Sequence, residues 1–233
     1  MKISVITPSV RPEGLPMVRK ALEAQTFKGG LEWIVCSPAD RLEDVDGARV
    51  IAEPPRNEGD FYGLNKALNA LVAASQGELL VICVDYTCPP PNALQTMWDR
   101  YTRKKWFCTT VPVRLCANVE NDVPKDVAWI DPRIKWYPKG WSMCKPQDFD
   151  FALASIPSKA FAIAGGIDET FDRFAGMSEK EFMIRATRKG YEAAIDTEMP
   201  VYGWMHPAHG PAWDEAFKGA EKYLEEVRSQ WAD

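Results

Sequence analysis

The feature that most constrains this chain is an alternation of short β-branched runs with helical patterns through its first half. "KISVITP" is a β-branched run stopped by proline, as a buried strand would be. In "LPMVRKALEAQTF" the apolar residues Leu15, Val18 and Leu22 recur at helical spacing, ahead of a stop at Gly29 and Gly30. "LEWIVCS" and "ARVIAEP" read as two further strands, and "FYGLNKALNALVAASQG" as a strongly periodic helix closed by Gly77. "ELLVICVD" is again a buried strand, followed by the helix "PNALQTMWDRYTRK" with Pro91 or Asn92 near its start. This order predicts an α/β fold with a mostly parallel sheet flanked by helices. Such sheets bind ligands beyond the carboxyl ends of their strands, and Asp85 in "ICVDYTCPPP" stands at one such end.

From about Trp106 to Gln147 the chain is rich in Trp, Pro and Lys and has no clear period. We read it as a small additional β region of two or three short strands with long loops on the edge of the first unit. "FDFALASIPSKAF" then resumes an apolar pattern, "AGGID" makes a tight turn and "SEKEFMIRATRKG" a helix. "YEAAIDTEMPVYGWMH" gives one or two strands and "AWDEAFKGAEKYLEEVRSQW" a C-terminal helix with Phe217, Tyr223, Leu224 and Val227 near helical spacing. At 233 residues and 46% hydrophobic, the chain suits one domain with a proper core. A formal charge of −5 gives no overall pull towards polyanions or anionic membranes, and Arg100, Arg103, Lys104 and Lys105 read as the solvated end of a helix. The six cysteines lack C-x-x-C spacing, which argues against a cysteine-ligated zinc site and for a reduced, cytoplasmic setting. No apolar run reaches the length of a membrane span, and the opening run is short for a signal peptide.

Five stretches in this order resemble the GT-A glycosyltransferases, family 2 above all. They are "ISVITPSVRPEGLPMVRKALEAQTF" with its Gln25-Thr26, "LEWIVCSPAD", "NEGDFYGLNKALNALVAASQGELLVICVD", "IAGGIDETF" and "SEKEFMIRATRKGY". The resemblance implies a single GT-A domain over 1–233, with a nucleotide-binding half at 1–105 and an acceptor-binding half at 106–233. It implies an inverting transfer of sugar from a nucleotide-sugar donor, a UDP-sugar by preference, to an acceptor hydroxyl, aided by Mn²⁺ or Mg²⁺. The acceptor is open among a glycan, a lipid-linked sugar, a protein and a modified nucleic-acid base, with a soluble one favoured. A catalytically inactive nucleotide-sugar-binding module and a nucleotidyltransferase are the rival readings. The second of these would want a Gly-rich, Lys/Arg-containing loop where "TPSVRPEGLP" stands.

Residue by residue, the resemblance places Thr7, Pro8 and Val10 around the nucleobase and ribose. Arg11 could reach a phosphate or be an ordinary exposed loop arginine. Asp40 stands in "SPAD" in place of an expected acidic pair, and Asn65 is either a nucleotide contact or a polar surface residue. Asp85 faces the diphosphate or metal, although Tyr86 and Thr87 bring no second carboxylate to a D-x-D. Gly165 and Gly166 let the backbone approach a sugar, or simply make a turn. Asp168 and Glu169 either cap the next segment or bond donor hydroxyls. Glu179 is the expected general base, with Glu181 on the acceptor side, while Ser178 and Glu181 could equally form a capping box. His206 would complete a metal site with Asp85. Trp141, in the Trp-rich stretch, would serve as an acceptor platform or pack in a core.

Overall fold

The computed structural model of the chain describes residues 1–38, 40, 44–205 and 211–230. Its first strands are β1 (Ile3–Pro8), β2 (Leu31–Ser37), β3 (Arg49–Ala52) and β4 (Leu79–Cys83), with α1 (Leu15–Glu23) and α2 (Leu64–Ala74) between them. Next come β5 (Thr87–Cys88), α3 (Ala93–Arg103), β6 (Phe107–Thr110), β7 (Val113–Glu120), β8 (Val123–Ile130), α4 (Arg133–Trp136) and β9 (Trp141–Met143). The chain continues through β10 (Leu153–Pro157), α5 (Ser158–Ala164), α6 (Ser178–Arg188), β11 (Glu192–Asp196), β12 (Val201–Trp204) and α7 (Pro211–Ser229).

Eight strands build the main sheet in the order β3-β2-β1-β4-β10-β6-β11-β9. β3, β2, β1 and β4 are parallel, β10 is antiparallel to both β4 and β6, β11 returns parallel to β6, and β9 closes the far edge antiparallel. The α/β architecture expected from the alternation is therefore present, and strands from both halves of the chain share one sheet. The period of two along each strand sorts its side chains between two cores. Ile6, Ile34 and Ile82 face one core with Leu68 and Leu71 of α2 and Phe182 of α6. Val5, Val35 and Val81 face the other with Val18 and Leu22 of α1 and Leu94 and Met97 of α3. Leu68 and Leu71 are fully buried, and each contributes about 2 kcal/mol to holding α2 on the sheet.

The middle of the chain departs from the sequence reading. β6 lies inside the main sheet and not on its edge, while β7 and β8 form a hairpin of two eight-residue strands in a second sheet ordered β5-β12-β7-β8. The hairpin hid from periodicity because β8 is exposed on both faces, with only Pro124 half-buried, so its apolar and polar residues need not alternate. A register shift between Leu115 and Cys116 disturbs the pattern further. This small sheet has a positional consequence, since β5 follows Asp85 directly and the Trp204 amide of β12 donates to the Tyr86 carbonyl (2.8 Å).

Candidate active site

β4 delivers Asp85 to the carboxyl end of the sheet, where the side chain is 2% exposed. Its Oδ2 accepts from the Val10 amide (2.9 Å), the Arg11 amide (2.8 Å) and the Ser9 hydroxyl (3.3 Å). Its Oδ1 accepts from Arg11 Nη1 (3.3 Å). The carboxylate thus closes the loop after β1 and fixes Arg11, whose guanidinium also lies 5.8 Å over the Tyr86 ring. Burial pushes the Asp85 carboxyl up, opposed by the Arg11 guanidinium, the two amides and Ser9. Behind Asp85, Gly14 comes so close that a Cβ there would overlap the Asp85 carbonyl oxygen. The three prolines after it are anchored by Gln25, which donates to Pro90 O (2.8 Å) and accepts from the Leu94 amide (3.0 Å). The neighbouring Thr26 amide donates to Pro91 O (2.7 Å), which gives the Gln25-Thr26 pair its structural task.

The second centre is Glu179 in the first turn of α6. Its carboxyl is part-buried and pushed up to about 7, first by burial and then by the charge of Asp150, against the pull of its own amide, Lys180 and Arg133. Asp150 precedes β10 in the strand beside β4, where its Oδ1 accepts from the Ala152 amide (2.7 Å). Its Oδ2 lies 3.8 Å from Arg133 Nη2. Arg133 is itself locked on Asp131 and donates to Asp148 O (2.7 Å). Tyr86 joins the two centres: burial raises its phenol, and the charges of Asp150, Asp85 and Glu179 add to that. Arg11, Asp85, Tyr86, Asp150, Arg133 and Glu179 therefore form one electrostatic cluster at the carboxyl end of the sheet.

A third carboxylate, Asp172, caps α2 from outside that helix. It accepts from the Asn65 amide (2.8 Å), Asn65 Nδ2 (2.9 Å) and the Lys66 amide (3.1 Å), as an acidic residue at a helix N-terminus should. Burial nevertheless pushes its carboxyl up to about 6. Asp172 and Asp40 both bear on Arg56, and Tyr62 senses both Asp172 and Glu179.

The expected site residues fall into distinct settings. Arg11, Asp85 and Glu179 meet in the cluster. Pro8 is buried beside it at the end of β1, and Val10 is 39% exposed on the same loop. Thr7 turns into the core, where its Oγ1 accepts from Trp33 Nε1 (3.0 Å). Asp40 is exposed near Arg56. Asn65 is fully buried on Asp172, and its Oδ1 has no hydrogen-bond partner among the described residues. Gly165 and Gly166, with φ of 84° and 77°, terminate α5, and a Cβ on Gly166 would stand 3.1 Å from Asn69 Oδ1. Asp168 caps the turn it opens, accepting from the Thr170 amide (2.9 Å), while Glu169 accepts from Asn69 Nδ2 (2.9 Å).

Glu181 is 1% exposed and paired with Arg185, whose Nη2 also donates to Gly166 O (2.9 Å), so this pair braces the glycine turn. Trp141 lies on the distal edge strand, against Phe107, Arg100 and Lys104, with its Nε1 donating to Thr109 Oγ1 (3.1 Å). No capping box forms at α6. Met177, at φ 70°, precedes the helix, and the Ser178 hydroxyl turns to Glu179 Oε2 (3.4 Å). His206 lies outside the described residues, as does His209.

Asp150, Arg133 and Asp172 escaped sequence reading. Asp150 carried one available signal, an acid directly before the apolar run of β10, but its place beside Asp85 follows only from the sheet order. A cavity of about 560 Å³ opens between α1 and the segment Asp44–Asp46, lined also by Leu15, Ser37 and Val50. Neither Asp85 nor Glu179 lines it, so the charged cluster lies outside this cavity.

A divalent cation of the Mn²⁺ or Mg²⁺ type needs several oxygen ligands. Among the described residues no group of three His, Cys, Asp or Glu side chains could hold one. Both Asp85 oxygens already accept hydrogen bonds, Oδ1 from the cationic Arg11, and Thr87, which stands at the second acidic position of a D-x-D, is fully buried with its Oγ1 unpartnered among the described residues. The described donors do not fit the ion.

No family model and no curated protein matches the chain. Solved structures do. One is described as the crystal structure of GalNAc-T7 with UDP, GalNAc and Mn²⁺, matched at a TM-score of 0.71 over 97% of this chain and 11% identity. The chain has the GT-A glycosyltransferase fold. It spans about half of that structure, 48% of its length. Among the described residues no helix is long and apolar enough to cross a membrane.

Proposed function

We propose that this chain is a glycosyltransferase of family 2 type that moves a sugar from a nucleotide-sugar donor to an acceptor hydroxyl with inversion. The observation that carries the reading is Glu179, a carboxyl held near 7 by burial and by Asp150, in one cluster with the cationic Arg11. A base with that affinity takes a proton at neutral pH more readily than an ordinary glutamate. Glu179 takes the hydroxyl proton, the acceptor oxygen attacks the anomeric carbon, and the bond to the diphosphate breaks with its electron pair leaving on the nucleotide. One base working against a charge-stabilised leaving group is the requirement of a direct displacement.

The segment 1–105 would carry most of the nucleotide contacts, with Pro8, Val10 and Asp40 towards the base and Arg11 towards the phosphates. The segment 106–233 would meet the acceptor. UDP is the favoured nucleotide because the GalNAc-T7 structure holds it in this fold. That structure also holds Mn²⁺; the described donors here do not fit such an ion, and no step of the transfer is routed through one. A second reading, a nucleotide-sugar-binding module without turnover, has the missing carboxylate at Thr87 in its favour.

A thermal-shift screen of UDP-, GDP- and CMP-sugars, followed by assay of donor consumption, separates the two. Stabilisation with consumption supports transfer, stabilisation alone supports the module, and no stabilisation by any donor refutes both.

A further inference from the structure

Resting on the glycosyltransferase reading, we propose that Arg11 takes the place of a divalent cation at the donor diphosphate, so that nucleotide binds without metal. The argument begins with Asp85. In metal-dependent transfer a carboxylate at this strand end must offer a lone pair to the ion. Here Oδ2 is occupied by the Val10 and Arg11 amides and the Ser9 hydroxyl, and Oδ1 by Arg11 Nη1. An ion on this carboxylate would stand directly against the Arg11 guanidinium, like charge beside like charge.

Arg11 is built into the wall instead of hanging from it. Its two backbone-proximal anchors are its own amide on Asp85 and the preceding amide on the same oxygen, and its guanidinium is held by Asp85 on one side and the Tyr86 ring on another. The side chain remains 29% exposed, and of its five N–H donors only the one on Asp85 is spent among the described residues. A planar fork with free donors, fixed in advance, matches the geometry of phosphate oxygens. The order of charges is then Asp85 carboxylate, Arg11 guanidinium, donor diphosphate. As the glycosidic bond breaks, the electron pair goes to the diphosphate oxygen and Arg11 takes up that charge, while the acceptor proton goes to Glu179.

The test is titration calorimetry of the full chain with UDP, CDP, GDP and ADP, in excess EDTA and again in excess Mn²⁺. Binding of at least one of them that is equal within about twofold in the two conditions is expected, because the charge-assisted contacts come from the protein. Arg11→Ala should weaken that binding by at least about tenfold, and Arg11→Lys, which keeps the charge and loses the fork, by less. The EDTA comparison uses the unaltered chain and stands even where a variant fails to fold. Binding that drops at least about tenfold in EDTA and returns with Mn²⁺ overturns the proposal and leaves the glycosyltransferase reading intact. Binding of none of the four in either condition overturns both.

Discussion

Replacing Glu179 by glutamine removes one proton site and keeps nearly the same shape, so its effect on stability isolates the charge. In the folded chain this carboxyl titrates near 7, against an ordinary 4.5, because burial and Asp150 disfavour its ionised form. Between those two values the folded chain holds a proton that the unfolded chain has released. Stability therefore falls as pH rises through that window, and the loss is complete above it. At about 1.4 kcal/mol per tenfold, the gap corresponds to about 3 kcal/mol, reduced to about 2 to 3 because the side chain is not wholly out of water. Glutamine carries no such penalty. Urea unfolding of both proteins at pH 4 and pH 8 should show near-equal stabilities at pH 4 and the variant ahead by about 2 kcal/mol or more at pH 8. Asp172, pushed up to about 6, titrates in both proteins and cancels in the comparison. Parallel pH dependences would refute the claim that Glu179 is held protonated by its surroundings.

Gly14→Ala should destabilise the chain by about 2 to 3 kcal/mol, since the new methyl overlaps the Asp85 carbonyl and must push it or the loop aside; a loss below about 0.5 kcal/mol would show that the loop yields freely. Because Arg11 is held by Asp85, the same variant should also weaken nucleoside diphosphate binding in calorimetry. Arg185→Met strands the buried carboxylate of Glu181 and should cost about 3 kcal/mol in urea unfolding. Adding Glu181→Gln should recover part of that loss, and no recovery would mean that the carbonyls of Ala164 and Gly166 set the cost.

The elements that bury one face or two were legible because burial writes a period into the sequence. β1, β2 and β4 read as apolar runs, and α1 as a stripe of Leu15, Val18 and Leu22. β7 and β8 did not read as a long hairpin, because β8 is open to water on both sides and β7 is buried only in its first half, so neither carries a sustained period. Asp85 was visible as the acid at the end of a buried run. Its four donors were not, since they come from a loop about seventy-five residues away that only the β1–β4 pairing brings alongside.

Glu179 is located through the resemblance of "SEKEFMIRATRKGY" to the family's acidic helix, but the neighbour that tunes it, Asp150, enters through an antiparallel strand inserted beside β4. Asn65 and Glu181 show the opposite case. A polar side chain on a helix reads as available, and here both are consumed in bracing, one on Asp172 and one on Arg185. Pairings between distant segments decide which polar residues remain free, and no local pattern encodes them.

The central claim is that Glu179 receives the acceptor proton during sugar transfer. The most direct measurement is the pH–rate profile of donor consumption, with the nucleotide-sugar found by screening, for the unaltered chain and for Glu179→Gln. The unaltered chain should gain activity along an acid limb centred near 7, where this carboxyl ionises. The variant should lose about a hundredfold or more above pH 7, the contribution of a positioned base, and should lack that limb, so that the gap narrows as pH falls below 7. A variant that consumes donor and transfers sugar at the unaltered rate would contradict the account.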